Sequence, residues 1–503
     1  MNQNQTPLLD AIISNAKRIH APFYTPGHKG GKGISPKLAN YFGKAVFKAD
    51  LTELTELDCL FAPQGVIQQA QQLAAAAFGA SQTWFLVNGS TCGIEAAIMA
   101  TCGDKPQGHA RSDRDKIILP RNVHSSAISG LILSGAMPIF INPEYDSTLD
   151  ITHSITPQSL EKALQKHPDT KAVMMVYPTY YGVCGDILAI AKLTQEYNIP
   201  LLVDEAHGAH FKFHPQLPIS ALNAGADLTV QSTHKTLGGM TQASMLHVQG
   251  DRININRIDK ALQLLQSTSP SYLLLASLDA ARQQIALHGK ELLTHTLQLA
   301  DEARKRINQI PGLSVFEHFD LDKTRLTVTV SKLGITGFEA EEILDEELNV
   351  TPEFASLKHL TFIISLGNTL SDIEQLVKAF TTLSRKYHSP LLNFSEEIGS
   401  ESSSNNSPLP ACGEGVGGGV YSPGLSPRQA FFAATETLPI KETINRTCAE
   451  IVCPYPPGIP ILMPGEVITP AALKYLQDIK EMGGFISNCA DSSLCTLKVV
   501  NNS

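Results

Sequence analysis

A chain of 503 residues, 43% hydrophobic and 17% charged, is long enough for about two to four domains around a large buried core. A formal net charge of −9, with no lysine- or arginine-rich run, argues against a nucleic-acid surface and is compatible with a cationic substrate. Nine scattered cysteines without a Cys-x-x-Cys pair read as reduced thiols, and with no secretory leader and no apolar run of membrane length the expected compartment is the cytoplasm.

In chain order, the first feature is the basic glycine run Pro26-Gly27-His28-Lys29-Gly30-Gly31, whose spacing does not suit a nucleotide phosphate loop. The acidic run from Asp50 through Glu53 and Glu56 to Asp58 fits either one solvated helix face or a pocket for a cationic substrate end. From about residue 81 short apolar runs alternate with helix-periodic segments. Strands are expected at 83–87, 116–119, 138–141, 172–176, 201–203 and 228–230, and helices at 93–101, 159–165 and 187–197. Such alternation predicts a mostly parallel sheet covered by helices on both faces. Its active site would lie beyond the carboxyl ends of the strands, where Asn88, His124, Asp204 and Lys235 fall.

A long helix is expected over 271–310, then strands at 325–330 and 359–366 in a smaller α/β domain. Residues 399–425 are rich in Ser, Asn, Pro and Gly and read as a flexible linker. The expected organisation is an N-terminal arm (1–60), a large domain (61–290), a small domain (291–398), that linker (399–425) and a C-terminal domain (426–503).

The chemistry concentrates in Asp204-Glu205-Ala206-His207-Gly208 and Ser232-Thr233-His234-Lys235-Thr236-Leu237-Gly238-Gly239. An aspartate at one strand end and a lysine flanked by hydroxyls and a histidine at the next suit pyridoxal phosphate (PLP). Lys235 would bind its aldehyde, Asp204 would pair with the pyridine nitrogen, and the small polar groups and glycines would hold the phosphate. Asn88-Gly89-Ser90-Thr91 opens a helix after a strand, which serves both as a helix start and as a phosphate cradle. His124 trails a strand and could stack on the ring. His207, His210 and His214 lack the further ligands of a zinc site, so no metal is expected. Gly413 to Gly418 fits a dinucleotide glycine pattern but lies in low-complexity sequence with no strand before it, and is set aside.

Together these residues resemble the Orn/Lys/Arg decarboxylase family, in particular its short members without an N-terminal wing domain. The resemblance runs over Pro26–Gly31, Asp50–Glu53, Asn88–Thr91, Arg121-Asn122 with His124, Pro178–Gly182, Asp204–Gly208, Ser232–Lys235, Thr268–Tyr272, and Tyr455-Pro456-Pro457-Gly458-Ile459-Pro460 with Pro464-Gly465-Glu466. It implies PLP fold type I, an aminotransferase-like three-layer sandwich with a mostly parallel sheet, a smaller α/β domain and a C-terminal α+β domain. The implied activity is decarboxylation of a basic amino acid in polyamine biosynthesis, arginine to agmatine first, then lysine or ornithine. Lys235 would hold PLP, Asp204 would face its ring nitrogen, and His124 and Ala206 would flank the ring. Ser90, Thr91, Ser232 and His234 would bind phosphate, and His207 would lie near the phenolic oxygen. Glu466 would receive the substrate's distal cation. A homodimer is implied, with the N-terminal segment and the Thr268–Tyr272 block at its interface, and neither nucleic acid nor membrane as partner.

Three features depart from the family's pattern: Ser125 after the histidine, Asp58-Cys59-Leu60-Phe61, and a polar insertion from Lys105 to Arg114. Other readings stay open beside this one. Transamination or β-elimination could run on the same scaffold, and Arg325 is a candidate for the carboxylate-binding arginine that an aminotransferase needs. A catalytically silent paralogue is the remaining alternative.

Overall fold

The computed structural model describes residues 1–103, 114–387 and 425–501. All of the expected linker except residue 425, and all of the polar insertion except Arg114, lie outside the described residues. Two compact units are present. The first comprises residues 1–103, 170–177 and 187–294, the second 104–169, 178–186 and 295–503.

The first unit is built on five strands in the order Gln82–Leu86, Ser244–Val248, Leu228–Gln231, Leu201–Asp204, Thr170–Val176. The last three are mutually parallel, and Ser244–Val248 runs antiparallel to both of its neighbours. Their near-continuous burial explains why they read as unbroken apolar runs: helices cover both faces. Because Leu201–Asp204 and Leu228–Gln231 are parallel, with Asp204 opposite Val230, Asp204 and the turn after Gln231 share one rim. Ser244–Val248 was not anticipated. Its Ser244 and His247 are polar yet fully buried, so the segment does not read as a core strand.

The helix Gly89–Thr101 lies directly on the sheet. A Cβ at Gly93 would stand 2.7 Å from Leu86 Cδ1 and from Val230 Cγ1, so only glycine allows this approach. The opening helix Pro7–Lys17 is held by the 36-residue helix Tyr272–Ile307. Asp279 accepts the Leu8 and Leu9 amides at 3.0 and 3.4 Å, and Arg282 donates to the Gln3 and Gln5 carbonyls at 2.9 and 2.6 Å. The two side chains are fully buried and paired at 2.5 Å. Together they satisfy orphan groups at a helix start that has no cap of its own.

The acidic run is irregular apart from the 3-10 turn Thr55–Leu57, not a solvated helix face. Glu56 accepts from Asn15 at 2.7 Å, Glu53 from the Leu60 amide at 3.3 Å, and Asp50 pairs with His28 at 3.1 Å. Asp58 accepts amides of Cys59, Gln64, Gly65, Ile67 and Gln68 and so caps the helix Val66–Phe78. Burial pushes its pKa up, but those N–H bonds more than offset this and hold it below the usual carboxylate value. The buried Tyr272 donates its hydroxyl to the Asp58 carbonyl at 2.5 Å.

In the second unit Lys116–Pro120 and Met137–Ile141 pair in parallel. A four-stranded antiparallel sheet, Ser314–Val315, Arg325–Thr329, His359–Ile363, Phe354–Ala355 in that order, packs with helices Gly337–Glu346 and Leu370–Tyr387 around a core that includes Leu326, Leu360 and Phe380. Farther along, Thr435–Pro439 pairs with Thr496–Val500 and Cys453–Tyr455 with Phe485–Ser487. The helix Pro470–Glu481 joins these in a separate core containing Leu462, Leu476 and Val499. Among the described residues no helix is long and apolar enough to cross a membrane.

Candidate active site

Asp204 ends its strand 8% exposed, and its Oδ1 accepts the Ala206 amide at 3.1 Å. Burial raises its pKa, and the charge of Lys235 acts against that rise, so the two groups are electrostatically coupled. Lys235 sits in the single helical turn Thr233–Thr236, after Leu228–Gln231. Its Nζ is 3.0 Å from Nε2 of His207, which is 5% exposed. Sequence reasoning placed Lys235, Asp204 and His207 around one cofactor. The direct lysine–histidine contact was not foreseen, because it depends on how the turn after Asp204 doubles back.

The hydroxyls expected to bind phosphate also converge. Ser232 is fully buried and donates to Ser90 Oγ at 2.9 Å. Ser90 belongs to the first turn of Gly89–Thr101, which starts with no side-chain cap and therefore presents the positive end of its dipole. Gly89 (φ +75°) makes the turn into that helix, and Thr91 is exposed beside it. His234 Nδ1 lies 3.1 Å from the Ala243 carbonyl. A carbonyl only accepts, so Nδ1 carries the proton in this contact. Ala206 is buried next to Asp204. A lysine amine, a buried carboxylate and an uncapped helix start with two bonded serines form a donor set that fits an aldehyde, a pyridine nitrogen and a phosphate.

Three further expected residues lie in the second unit. His124 caps the helix Ser125–Ser134, its Nδ1 accepting the Ser126 amide at 3.2 Å. The Tyr-Pro-Pro-Gly block meets it: a Cβ on Gly458 would stand 3.0 Å from the His124 ring, and Ser125 donates its amide to the Gly458 carbonyl at 3.0 Å. Glu466, 2% exposed, accepts from Arg121 at 3.1 Å and from the Met463 amide at 3.2 Å through Oε2. Its Oε1 is buried without a hydrogen-bond partner. Arg121 also donates to the Pro460 and Ile461 carbonyls at 2.7 and 3.0 Å. Burial raises the Glu466 pKa, and Arg121 pulls it back. The pairing of Arg121 with Glu466 was missed, since 345 residues separate them.

Arg325, 1% exposed, lies 4.0 Å from Asp322 under Gly182, where a Cβ would come within 2.7 Å of it. Its charge is matched inside the chain. Among the described residues no group of three or more His, Cys, Asp or Glu side chains is arranged to hold a metal ion.

Residues 6–328 match the family model for the major domain of Orn/Lys/Arg decarboxylase, and 420–485 match the model for its C-terminal domain. The chain is 39% identical over 508 residues to an arginine decarboxylase of Bacillus subtilis, covering 99% of both chains. With an arginine decarboxylase of Halalkalibacterium halodurans it shares 39% over 511 residues, covering 99% of this chain and 98% of the other. The crystal structure of a Francisella novicida lysine decarboxylase superposes with a TM-score of 0.83 at 21% identity, covering 99% of this chain and 81% of that one. At that identity the likeness is one of fold: the α/β arrangement with mostly parallel strands and a separate C-terminal portion.

Proposed function

The chain belongs to the Orn/Lys/Arg decarboxylase family, and on that premise we propose that it removes the α-carboxylate of L-arginine with pyridoxal phosphate, releasing CO2 and agmatine. The observation that carries this reading is Lys235, bonded to His207, on the same rim as the buried Asp204, with the Ser90–Ser232 contact in the same unit. Arginine is favoured over lysine and ornithine because relatives matched from end to end at 39% identity are arginine decarboxylases.

When bound, PLP supplies a conjugated ring that accepts the electron pair left behind as CO2 departs. Lys235 would hold it, and Asp204 would keep the ring nitrogen protonated. Ser90, Thr91, Ser232 and His234 would anchor its phosphate, and Ala206 would pack on one ring face. His207, bonded to Lys235, orients that amine and can exchange a proton with it at Nζ. The family resemblance implies His124 on the other ring face and Glu466 at the substrate's guanidinium. The reading includes a homodimer as the working form and an intracellular role in supplying polyamine precursors.

The test is CO2 release from arginine, lysine and ornithine by purified protein with added PLP, alongside Lys235→Ala. We expect arginine to be turned over fastest and the variant to be inactive without visible cofactor absorbance. A keto acid in place of CO2, or normal turnover by Lys235→Ala, would overturn the assignment.

A further inference from the structure

Behind the strand end that carries Asp204 runs a buried polar chain that the proposed chemistry leaves unused. Thr83 Oγ1 is 2.7 Å from His247 Nδ1, His247 Nε2 is 3.2 Å from Gln231 Oε1, and Gln231 Nε2 is 2.7 Å from Glu205 Oε2. Glu205 Oε1 accepts the Ala221 amide at 2.7 Å. All four side chains are at most 2% exposed. They come from four adjacent strands or strand ends, so the chain crosses the sheet from Gln82–Leu86 to the residue after Leu201–Asp204. Strand alternation puts Glu205 on the face opposite Asp204. There Phe78 stacks on His247 at 4.7 Å, and Gly208 leaves room for Glu205 Cγ, which an added Cβ would approach to 2.8 Å.

Such a chain can be complete in only two ways. If Glu205 is a carboxylate it only accepts. Gln231 then donates to it, His247 donates from Nε2 to Gln231, and Thr83 donates to a bare Nδ1. If Glu205 is protonated it can donate to Gln231 Oε1. The amide then turns over, its NH2 donates to His247 Nε2, and Nδ1–H donates to Thr83. Every link is kept in both directions, and Glu205 is the only member whose proton chooses between them. The hydrogen bond from Ala221 survives either way.

We propose that Glu205 is a positioning residue for Asp204: it clamps the strand end to Ala221 and Gln231, and it sets the direction of the hydrogen bonds running behind that strand. Burial raises the Glu205 pKa to about 8, partly offset by Gln231 and Ala221, and lowers that of His247 to about 3. His247 therefore stays neutral and changes only its tautomer. Few charged groups surround Glu205. Asp204 is on the other face, His207 and His210 lie in the turn that follows, Lys212 is bonded to Asn223, and the short helix Ala221–Ala224 has none.

The inference rests on the functional reading only in giving Asp204 its task. The first test is therefore made on the cofactor-free protein: the His247 tautomer from imidazole 15N shifts between about pH 6 and about pH 10. Wild type is expected to pass from Nδ1–H to Nε2–H, whereas Glu205→Gln, which must donate, keeps Nδ1–H throughout. In the PLP-loaded enzyme, Glu205→Leu is expected to lower kcat on the order of ten- to a hundredfold with KM held within about twofold, and Glu205→Gln to retain most of kcat and lose one limb of the pH profile. A constant wild-type tautomer, or a folded Glu205→Leu protein with wild-type kcat, overturns the inference. A constant tautomer would leave the decarboxylase reading untouched.

Discussion

Lys235 Nζ and His207 Nε2 stand 3.0 Å apart, each on the turn that follows one of two neighbouring parallel strands. A nitrogen base this close to the amine gives the lysine proton a destination inside the protein. Replacing His207 with Ala should leave PLP bound, because Lys235, Ser90 and Ser232 are untouched, yet lower kcat on the order of a hundredfold. Cofactor absorbance together with single-turnover CO2 release would separate the two effects; unchanged turnover would remove His207 from proton handling.

Asp204→Asn should trade stability against activity. Burial raises the Asp204 pKa above the ordinary 3.8, so the folded chain holds this proton more tightly than the unfolded one. Stability contributed by the protonated acid is present at low pH and lost as pH rises through the folded pKa. Asparagine carries no such penalty. The Tm of cofactor-free Asp204→Asn should therefore exceed that of wild type by a margin that grows with rising pH and then levels, while CO2 release falls by roughly a hundredfold or more. A margin that shrinks with pH would contradict this sign.

Breaking the Asp279–Arg282 pair leaves a buried charge alone. Arg282→Met should cost about 3–5 kcal/mol, because Asp279 loses its counter-charge and the Gln3 and Gln5 carbonyls lose their donor. Replacing both residues with apolar side chains should recover part of that loss. Urea denaturation of the two variants measures the difference.

Gly458→Ala acts on His124 by direct contact: the glycine adopts φ +87°, and its new methyl would press within 3.0 Å of the imidazole. The expected result is a small change in Tm and a larger fall in kcat, on the order of tenfold. An equal loss in both would point to general disruption of the C-terminal portion.

Much of the first unit was legible in the chain because chemistry and folding coincide there. Short apolar runs ended in Asp204 and Ser232–Lys235, and parallel strands bring such ends to one rim. The acidic run was harder to read. Four carboxylates within nine residues look alike on paper, but Asp58 caps a helix while Glu56 reaches back to Asn15. Which partner each one takes depends on the path of the backbone. Ser244–Val248 escaped notice for a related reason, since the partner of its buried His247, Thr83, lies 164 residues earlier. The Arg121–Glu466 pair is likewise a product of tertiary folding that no local pattern announces.

That separation also bears on how the protein is made. Gln82–Leu86 carries Trp84, Phe85 and Leu86, and its neighbour in the sheet is Ser244–Val248. On the ribosome this hydrophobic segment must wait for some 160 more residues to emerge before its ladder can close. Nascent chains should therefore depend on chaperones through that interval, and expression at lower temperature should raise the soluble yield.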